Sequence, residues 1–202
     1  FHFKSYDERV FTPVIRKEIR AAAPKDLGHY TVYLPGYHDD VLMHFLRQFE
    51  VKWEVFSKHA KYAYRVDNVF IEPISQARFQ ESLISASGVL CGAGFELPSE
   101  ALFLGKKTMV IPMKGHYEQT CNALGAAEVG ASTIAELDLI YHRQINYWLG
   151  QDKQAPLLYA DQTEQILIDL LTQFEKQGKA AYQPLEEFQT LKQKLGLLRY
   201  FF

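Results

Sequence analysis

Cysteine, long apolar runs and blocks of like charge are scarce or absent in this sequence of 202 residues. With only Cys91 and Cys121, a disulfide scaffold is not expected, and we predict that both thiols are buried side chains in a reducing, cytoplasmic protein. No apolar run reaches the roughly 18 residues that a membrane-spanning helix needs. The 22 basic and 24 acidic residues are interspersed, so neither nucleic acid nor an anionic membrane surface is indicated as a partner.

Apolar and aromatic residues, in contrast, are plentiful. They make up 48% and 14% of the chain, which is enough to bury the core of one large domain. The chain opens with Phe1, and no helical or strand period is visible before the helix-like segment Val14–Ala23. We therefore expect the chain to be a fragment of a longer protein.

Strand-like and helix-like segments alternate up to residue 137. The short connections, and strands that are apolar on both faces, predict a parallel sheet covered by helices. We expect an α/β fold, a Rossmann-like doubly wound sheet of about six strands with helices on both faces, followed by C-terminal helices at 138–150, 163–178 and 184–196. The predicted strands are 29–35, 51–57, 67–73, 88–92, 107–112 and 131–134, and the predicted helices between them are 14–23, 39–49, 76–86, 96–105 and 118–130.

The stretch from Gly88 to Pro112 carries the most specific chemistry. Its strand leads through a glycine turn at 92–94 into a helix, whose N-terminus offers unpaired N–H groups and a positive dipole end to an anion. Pro98 is tolerated only in the first helical turn, so the helix is predicted to start near Glu96. Glu100 then leans back over the turn, where its carboxylate can accept hydrogen bonds from two neighbouring hydroxyls, as on a ribose.

Phosphate on the turn and a ribose on Glu100 would together bind a nucleotide. The alternative is that the glycines serve packing alone and that Glu100 stabilises the helix dipole without a ligand.

Four motifs follow one another between Thr12 and Ile134. They are "TPVIR" at 12–16, the glycine turn with its Ser-Glu pair at 92–100, "ALFLGKKTMVIP" at 101–112 and "HYEQTCNA" at 116–123. In this order and spacing they resemble the donor-binding half of the GT-B glycosyltransferases, in particular the branch that includes the undecaprenyl-linked N-acetylglucosaminyltransferase of peptidoglycan synthesis.

The resemblance implies a nucleotide-sugar site, with UDP as the nucleotide. Glu100 would bind the ribose and Arg16 the phosphates, and the backbone of Ile71 would read the base. In the first glycine loop the family often has Gly-Gly-Ser, whereas "LPGYHDD" matches it only at Gly36 and has Tyr37 in place of serine; here the alternative is that Tyr37 caps the sheet edge. The remaining candidates contact the diphosphate or the sugar: Gly92, Ala93, Gly94, Phe95, Glu118, Gln119 and Asn122.

The resemblance also implies a division of the chain. Residues 1–13 would be the remnant of an interdomain linker, 14–137 the Rossmann-like donor-binding domain and 138–202 a C-terminal helical extension. The acceptor and the catalytic base would belong to a missing N-terminal domain, so no catalytic residue is assigned in this chain. Family members act without a bound divalent metal, and no Asp-x-Asp motif occurs, so neither a metal nor a cofactor is expected.

The implied function of the intact protein is hexosyl transfer from a nucleotide sugar to an acceptor of the cell-envelope or polysaccharide type, with peripheral association of the enzyme with the membrane. The fragment alone would bind nucleotide without turnover. Two alternatives stay open: a UDP-sugar 2-epimerase that uses Glu118 and His116, and a non-catalytic nucleotide-binding or interaction module.

Overall fold

The computed structural model describes residues 1–6 and 10–178, and the chain divides into two compact units, 1–160 and 161–202. Among the described residues, the first unit holds one sheet and six α-helices, and the second holds α7 (Thr163–Gly178). The strands are β1 (His29–Tyr33), β2 (Lys52–Ser57), β3 (Tyr64–Val66), β4 (Val69–Pro73), β5 (Gly88–Gly92), β6 (Lys107–Ile111) and β7 (Ser132–Thr133). The helices of the first unit are α1 (Lys17–Arg20), α2 (Asp39–Leu46), α3 (Gln76–Ser85), α4 (Glu96–Phe103), α5 (Tyr117–Ala127) and α6 (His142–Gly150), with a 3-10 turn at Leu139–Tyr141.

The strand order in the sheet is β3-β4-β2-β1-β5-β6-β7. Every pairing is parallel except that of β3 with β4. The chain proceeds from β1 to β2 on one side and returns to β5 on the other, so the winding direction reverses between β1 and β5. Connections that leave in opposite directions open a crevice at the carboxyl ends of these two strands. The predicted Rossmann-like doubly wound fold is confirmed.

The two faces of the sheet are packed by different helices. Tyr30 and Val32 of β1 belong to the core on the side of α2 and α6, whereas Val89 and Cys91 of β5 belong to the core on the side of α3 and α4. Alternate residues of a strand point to opposite faces, so strands that bury both faces need the continuous apolar runs that the sequence shows.

Two local predictions were wrong, and one short strand was not predicted. The helix expected at 14–23 is limited to α1, because the backbone of Arg16 before it is extended (φ −54°, ψ 143°) and Pro24 keeps Ala23 out of the helical region. The edge strand β3 was missed, and it raises the strand count to seven. Cys121 is exposed on α5, while Cys91 is buried as expected, which raises the pKa of its thiol to about 12.

The helix predicted at 184–196 lies outside the described residues, and the proposed division of the chain after residue 137 stays a prediction. Within the described part of the chain, every helix is too short or too polar to cross a membrane.

Asp26 joins the amino ends of β1 and β5. Its carboxylate accepts hydrogen bonds from the Ser87 hydroxyl and from the Gly28 N–H at 3.1 Å, and Lys153 Nζ lies 3.1 Å from it. The hydrogen bond from Ser87, with help from Lys153 and Gly28, lowers the pKa of Asp26 from 3.8 to about 2. The ionised carboxylate therefore stabilises the fold at pH values above its ordinary pKa of 3.8. This stabilisation is lost as the pH falls through the pKa of about 2 in the folded protein.

We predict that Asp26→Asn lowers the free energy of unfolding at pH 7 by about 1 kcal/mol. The difference from the unmodified chain should disappear as the pH falls from 3.8 to about 2, because the native carboxyl is then protonated too. Urea unfolding across this range measures the effect, and Asp152→Asn at an exposed position is the control. A deficit that does not change with pH would contradict the assignment.

Candidate functional site

The carboxyl ends of β1, β5 and β6 surround a cavity of about 480 Å3, which we call the glycine-loop cavity. It lies at the point where the winding of the sheet reverses, which is where open α/β sheets bind ligands. Its lining comes from the loops that follow these strands, from the start of α5 and from the segment after β7: Leu34–Tyr37, Gly92, Ile111–Gly115, Gln119, Thr120, Ala135 and Glu136.

A second cavity, of about 240 Å3, lies on the side of α3 and α4, and we call it the glutamate cavity. It is lined by Arg16, Tyr33, Ile74, Gln76, Phe79, Glu96, Leu97 and Glu100. Tyr33 lines this cavity and Leu34 lines the other, so both cavities adjoin the end of β1. The turn between β5 and α4 likewise runs from Gly92 beside the first cavity to Glu96 beside the second.

The glycine turn leaves room for close approach at two positions. A Cβ on Gly92 would come no nearer than 4.0 Å to the Ile111 carbonyl oxygen, and one on Gly94 would meet nothing within 4 Å. Ala93 between them is held by the protein: its N–H donates to Ile111 O at 3.0 Å, and its carbonyl accepts from Asn122 Nδ2 at 3.3 Å. Ala93 and Asn122 therefore fix the turn, and Gly92 and Gly94 are its open members.

Helix α4 begins at Glu96, as Pro98 predicts. Phe95 stands at the N-cap, and its carbonyl oxygen accepts a hydrogen bond from the Ser99 hydroxyl at 2.6 Å. The Phe95 ring packs against Phe3, with ring centroids 4.7 Å apart. These contacts fix the direction in which α4 leaves the turn.

Glu100 and Arg16, which the sequence assigned to different parts of a donor, contact each other. Arg16 Nε donates to Glu100 Oε1 at 2.6 Å and Nη2 donates to Oε2 at 2.7 Å. The Glu100 side chain is 1% exposed and that of Arg16 is 35% exposed. The hydrogen bond to Glu100 is the main cause that raises the pKa of Arg16. The buried carboxylate thus has a charged, bidentate partner, which is the geometry that makes such a pair favourable.

Reciprocal hydrogen bonds fix the start of α5. Nδ1 of His116, the N-cap residue, accepts the Gln119 N–H at 3.4 Å, and Gln119 Oε1 accepts the Met113 N–H at 2.8 Å. Because the amide oxygen is used by the backbone, the NH2 group is the end that Gln119 can offer to the glycine-loop cavity. Glu118 is exposed and, among the described residues, lines neither cavity.

The remaining predicted residues divide between the cavity and the core. Gly36 lines the glycine-loop cavity with open space beside it. Tyr37 also lines it, and its hydroxyl accepts the Leu137 N–H at 3.4 Å while the ring packs on the core below α2. Ile71 is fully buried in the middle of β4, and neither of the two described cavities reaches it.

Several cavity residues were not predicted from sequence. Tyr33 and Phe79 form an edge-to-face aromatic pair at the glutamate cavity, with ring centroids 5.6 Å apart, and Lys114 brings a positive charge to the other cavity. Phe79 lies in the predicted helix 76–86, but no local pattern shows which end of the sheet an apolar helix residue faces. Over residues 1–6 and 10–178, no cluster of three or more histidine, cysteine or acidic side chains is suited to a metal ion.

Comparisons with known proteins agree with this architecture. The model of the family described as glycosyl transferase family 1 matches residues 2–151. No curated protein matches the chain.

Three solved structures show the range of similarity. The glycotransferase of kitacinnamycin is similar with a TM-score of 0.50 at 16% identity over 72% of this chain and 42% of its own. MurG of Acinetobacter baumannii gives 0.49 at 21% identity over 84% of this chain and 57% of its own, and the glycosyltransferase VinC in complex with DTDP gives 0.46 at 13% over 69% and 37%. The chain thus spans about half the length of these proteins or less.

The Arg16–Glu100 pair should respond unequally to loss of its two members. Removing Arg16 leaves a carboxylate that is 1% exposed without a counter-ion, whereas removing Glu100 leaves a guanidinium that is 35% exposed and can reach water. We predict that Arg16→Met lowers the free energy of unfolding by about 3 kcal/mol and Glu100→Gln by about 1 kcal/mol.

Urea unfolding of both single variants and of Arg16→Met/Glu100→Gln measures this difference. The double variant should recover most of the loss caused by Arg16→Met, because the unpaired charge is gone. Equal losses in the two single variants, or additive losses in the double variant, would contradict a buried carboxylate that depends on Arg16.

Proposed function

The chain belongs to glycosyl transferase family 1, and on that premise we propose that it is the donor-binding part of an enzyme that transfers a hexose from a UDP-sugar to an acceptor. The observation that carries the proposal is the glycine turn at the β1–β5 reversal, with a cavity on each side of it. A nucleotide sugar has a nucleoside at one end, with a flat aromatic base and a ribose that carries two hydroxyls. It has a sugar at the other end and two phosphates between them. Two cavities joined by an anion-binding turn match that order.

The nucleoside fits the chemistry of the glutamate cavity. Tyr33, Phe79 and Leu97 offer apolar and aromatic surface to a base, and Glu100 is a pure acceptor for two ribose hydroxyls. The sugar fits the glycine-loop cavity, where the Gln119 NH2 group can donate to a hydroxyl oxygen.

The diphosphate would lie over the turn between the cavities. The eight residues of α4 direct their positive dipole end toward it, and the open positions Gly92 and Gly94 let it approach the backbone. Lys114 from one cavity and Arg16 from the other can approach the same charge. These groups stabilise the negative charge that develops on the departing diphosphate, which is the contribution this chain makes to catalysis.

Transfer fits the described residues better than the epimerase alternative does. An epimerase of this type would need acid and base groups around the sugar, but Glu118 is exposed and His116 uses Nδ1 to cap α5. Neither side chain lines either described cavity.

We propose a cytoplasmic reaction on an acceptor of the envelope or polysaccharide type, bound by a further domain of a longer protein that associates peripherally with the membrane. Product analysis of that longer protein with a labelled UDP-sugar tests the transfer itself. A protein that binds UDP but gives no glycosylated product with envelope or polysaccharide acceptors would support the non-catalytic module instead.

In Glu100→Ala the preference for UDP over 2′-deoxy-UDP should fall by about 1 to 3 kcal/mol, because charge-assisted hydrogen bonds to the ribose hydroxyls are lost. The variant should stay folded, since the Arg16 guanidinium is 35% exposed and can reach water. Titration calorimetry with both nucleotides measures the change, and Glu50→Ala at an exposed position is the matched control. An unchanged preference in the folded variant would remove Glu100 from the site.

The identity of the base can be tested on the chain as it stands. Thermal shift with UDP, GDP, ADP and dTDP at equal concentration should give the largest rise in melting temperature with UDP, because a ligand that binds only the folded state stabilises it more the more tightly it binds. A flat ranking, or one led by another nucleotide, would reject UDP as the donor nucleotide.

A further inference from the structure

The carboxylate of Glu100 is covered by the group that pairs with it. Both of its oxygens accept hydrogen bonds from Arg16, at 2.6 and 2.7 Å, and the side chain is 1% exposed. To bind a ribose, the same two oxygens must accept hydrogen bonds from two hydroxyl groups that approach from the cavity. A carboxylate that is 1% exposed offers no room for both partners, so the Arg16 guanidinium has to move before the diol can bind.

The backbone of Arg16 is held by hydrogen bonds, whereas its side chain is partly exposed. Its carbonyl oxygen accepts the N–H groups of Ile19 and Arg20 at 3.1 and 2.9 Å, and the neighbouring Ile15 is 4% exposed. The guanidinium itself is 35% exposed and lines the glutamate cavity beside Glu96 and Leu97 in the first turn of α4. A change of rotamer can therefore move the charge along the cavity toward the start of α4 while the backbone stays in place.

The energetic cost of this movement depends on what receives the guanidinium. A nucleoside brings a diol for Glu100 but nothing for Arg16, so a bidentate ion pair is broken without replacement. A nucleoside diphosphate brings the diol and two phosphates, and phosphate is a bidentate partner for arginine equal to a carboxylate. Only the second ligand replaces every charge-assisted hydrogen bond that it breaks.

We propose that the Arg16–Glu100 ion pair is a lock that makes ribose binding by Glu100 conditional on a diphosphate. Arg16 is then a specificity-determining residue: it leaves Glu100 for the diphosphate of a donor and excludes nucleosides from the site. This inference rests on the proposed function, since it takes the turn as the diphosphate site and Glu100 as the ribose ligand.

The test compares a nucleoside with its diphosphate, so that ribose binding by Glu100 is measured separately from diphosphate binding by Arg16. Titration calorimetry is done with uridine and UDP, or with the corresponding pair for whichever base ranks first by thermal shift, on the unmodified chain and on Arg16→Gln. In Arg16→Gln the lock is gone, so uridine should bind about fivefold more tightly, while UDP should bind about tenfold more weakly because a phosphate partner is lost. The preference for UDP over uridine should therefore fall by about 50-fold.

Arg16→Lys is a second variant, used in case Arg16→Gln does not fold. Lysine keeps the counter-ion for Glu100 but cannot hold the carboxylate in a bidentate fork, so uridine affinity should rise and UDP affinity should fall, each by less than in Arg16→Gln. Circular dichroism establishes that each variant is folded before it is titrated.

The outcomes separate the two proposals. If UDP binds the unmodified chain, and in the folded Arg16 variants uridine binding is unchanged or weaker, Arg16 does not block Glu100 and the lock is wrong while the donor site stands. If no nucleoside diphosphate binds the unmodified chain, the proposed function and the lock fall together.

Discussion

Strand β1 has a parallel partner on each side, β2 and β5, and the position of every other element in the sheet follows from that. The chain leaves β1 through α2 on one face and comes back to β5 from α3 on the other, so the loops after these two strands diverge. Their divergence leaves the carboxyl end of β1 uncovered, with Tyr33 directed to one cavity and Leu34 to the other. The site is therefore a consequence of the winding, and the loop residues determine only what it can bind.

The two ends of the sheet are held by different kinds of polar contact. At the amino end, the buried Lys106 Nζ donates to the carbonyl oxygens of Lys25, Ile84 and Ala86 at 2.6, 2.7 and 2.8 Å, and burial lowers the pKa of this lysine to about 8. Because these acceptors belong to the backbone, they cannot move away from Lys106 unless the chain unfolds locally. The amino end of the sheet is therefore rigid. At the carboxyl end, the contact between Arg16 and Glu100 joins two side chains, one of which is partly exposed, and this is why we propose that a ligand can replace it.

The sequence predicts those parts of the site that are encoded locally. Gly92 and Gly94 mark a turn and Pro98 determines where α4 must start, because glycine widens and proline restricts the conformations that the local backbone can adopt. The contact of Arg16 with Glu100 spans 84 residues, and no local rule indicates that two predicted ligands of one donor would be partners of each other. Tertiary packing likewise decides that Ile71 is buried within β4.

Strand β3 and the exposure of Cys121 were not predicted from the sequence either. Strand β3 has only three residues, which is too short for a period of two to be recognised. On α5 the buried positions are Ala123, Gly125 and Ala126, because small residues let the helix approach its neighbours, so the larger Cys121 is left on the outer face. A prediction based on hydrophobicity alone would instead bury Cys121 and expose Gly125.

The ion pair also resolves an electrostatic conflict in the site. A carboxylate suits a ribose, but an unpaired Glu100 near the N-terminus of α4 would repel the phosphates that we propose for the same turn. Paired with Arg16, the carboxylate adds no net charge, so an approaching diphosphate meets the helix dipole and Lys114 without opposition from it. In the exchange that we propose, the guanidinium passes from the carboxylate to the diphosphate while Glu100 takes up the ribose hydroxyls. A bidentate arginine suits this arrangement better than a lysine would, because its planar fork can bind either group while remaining charged.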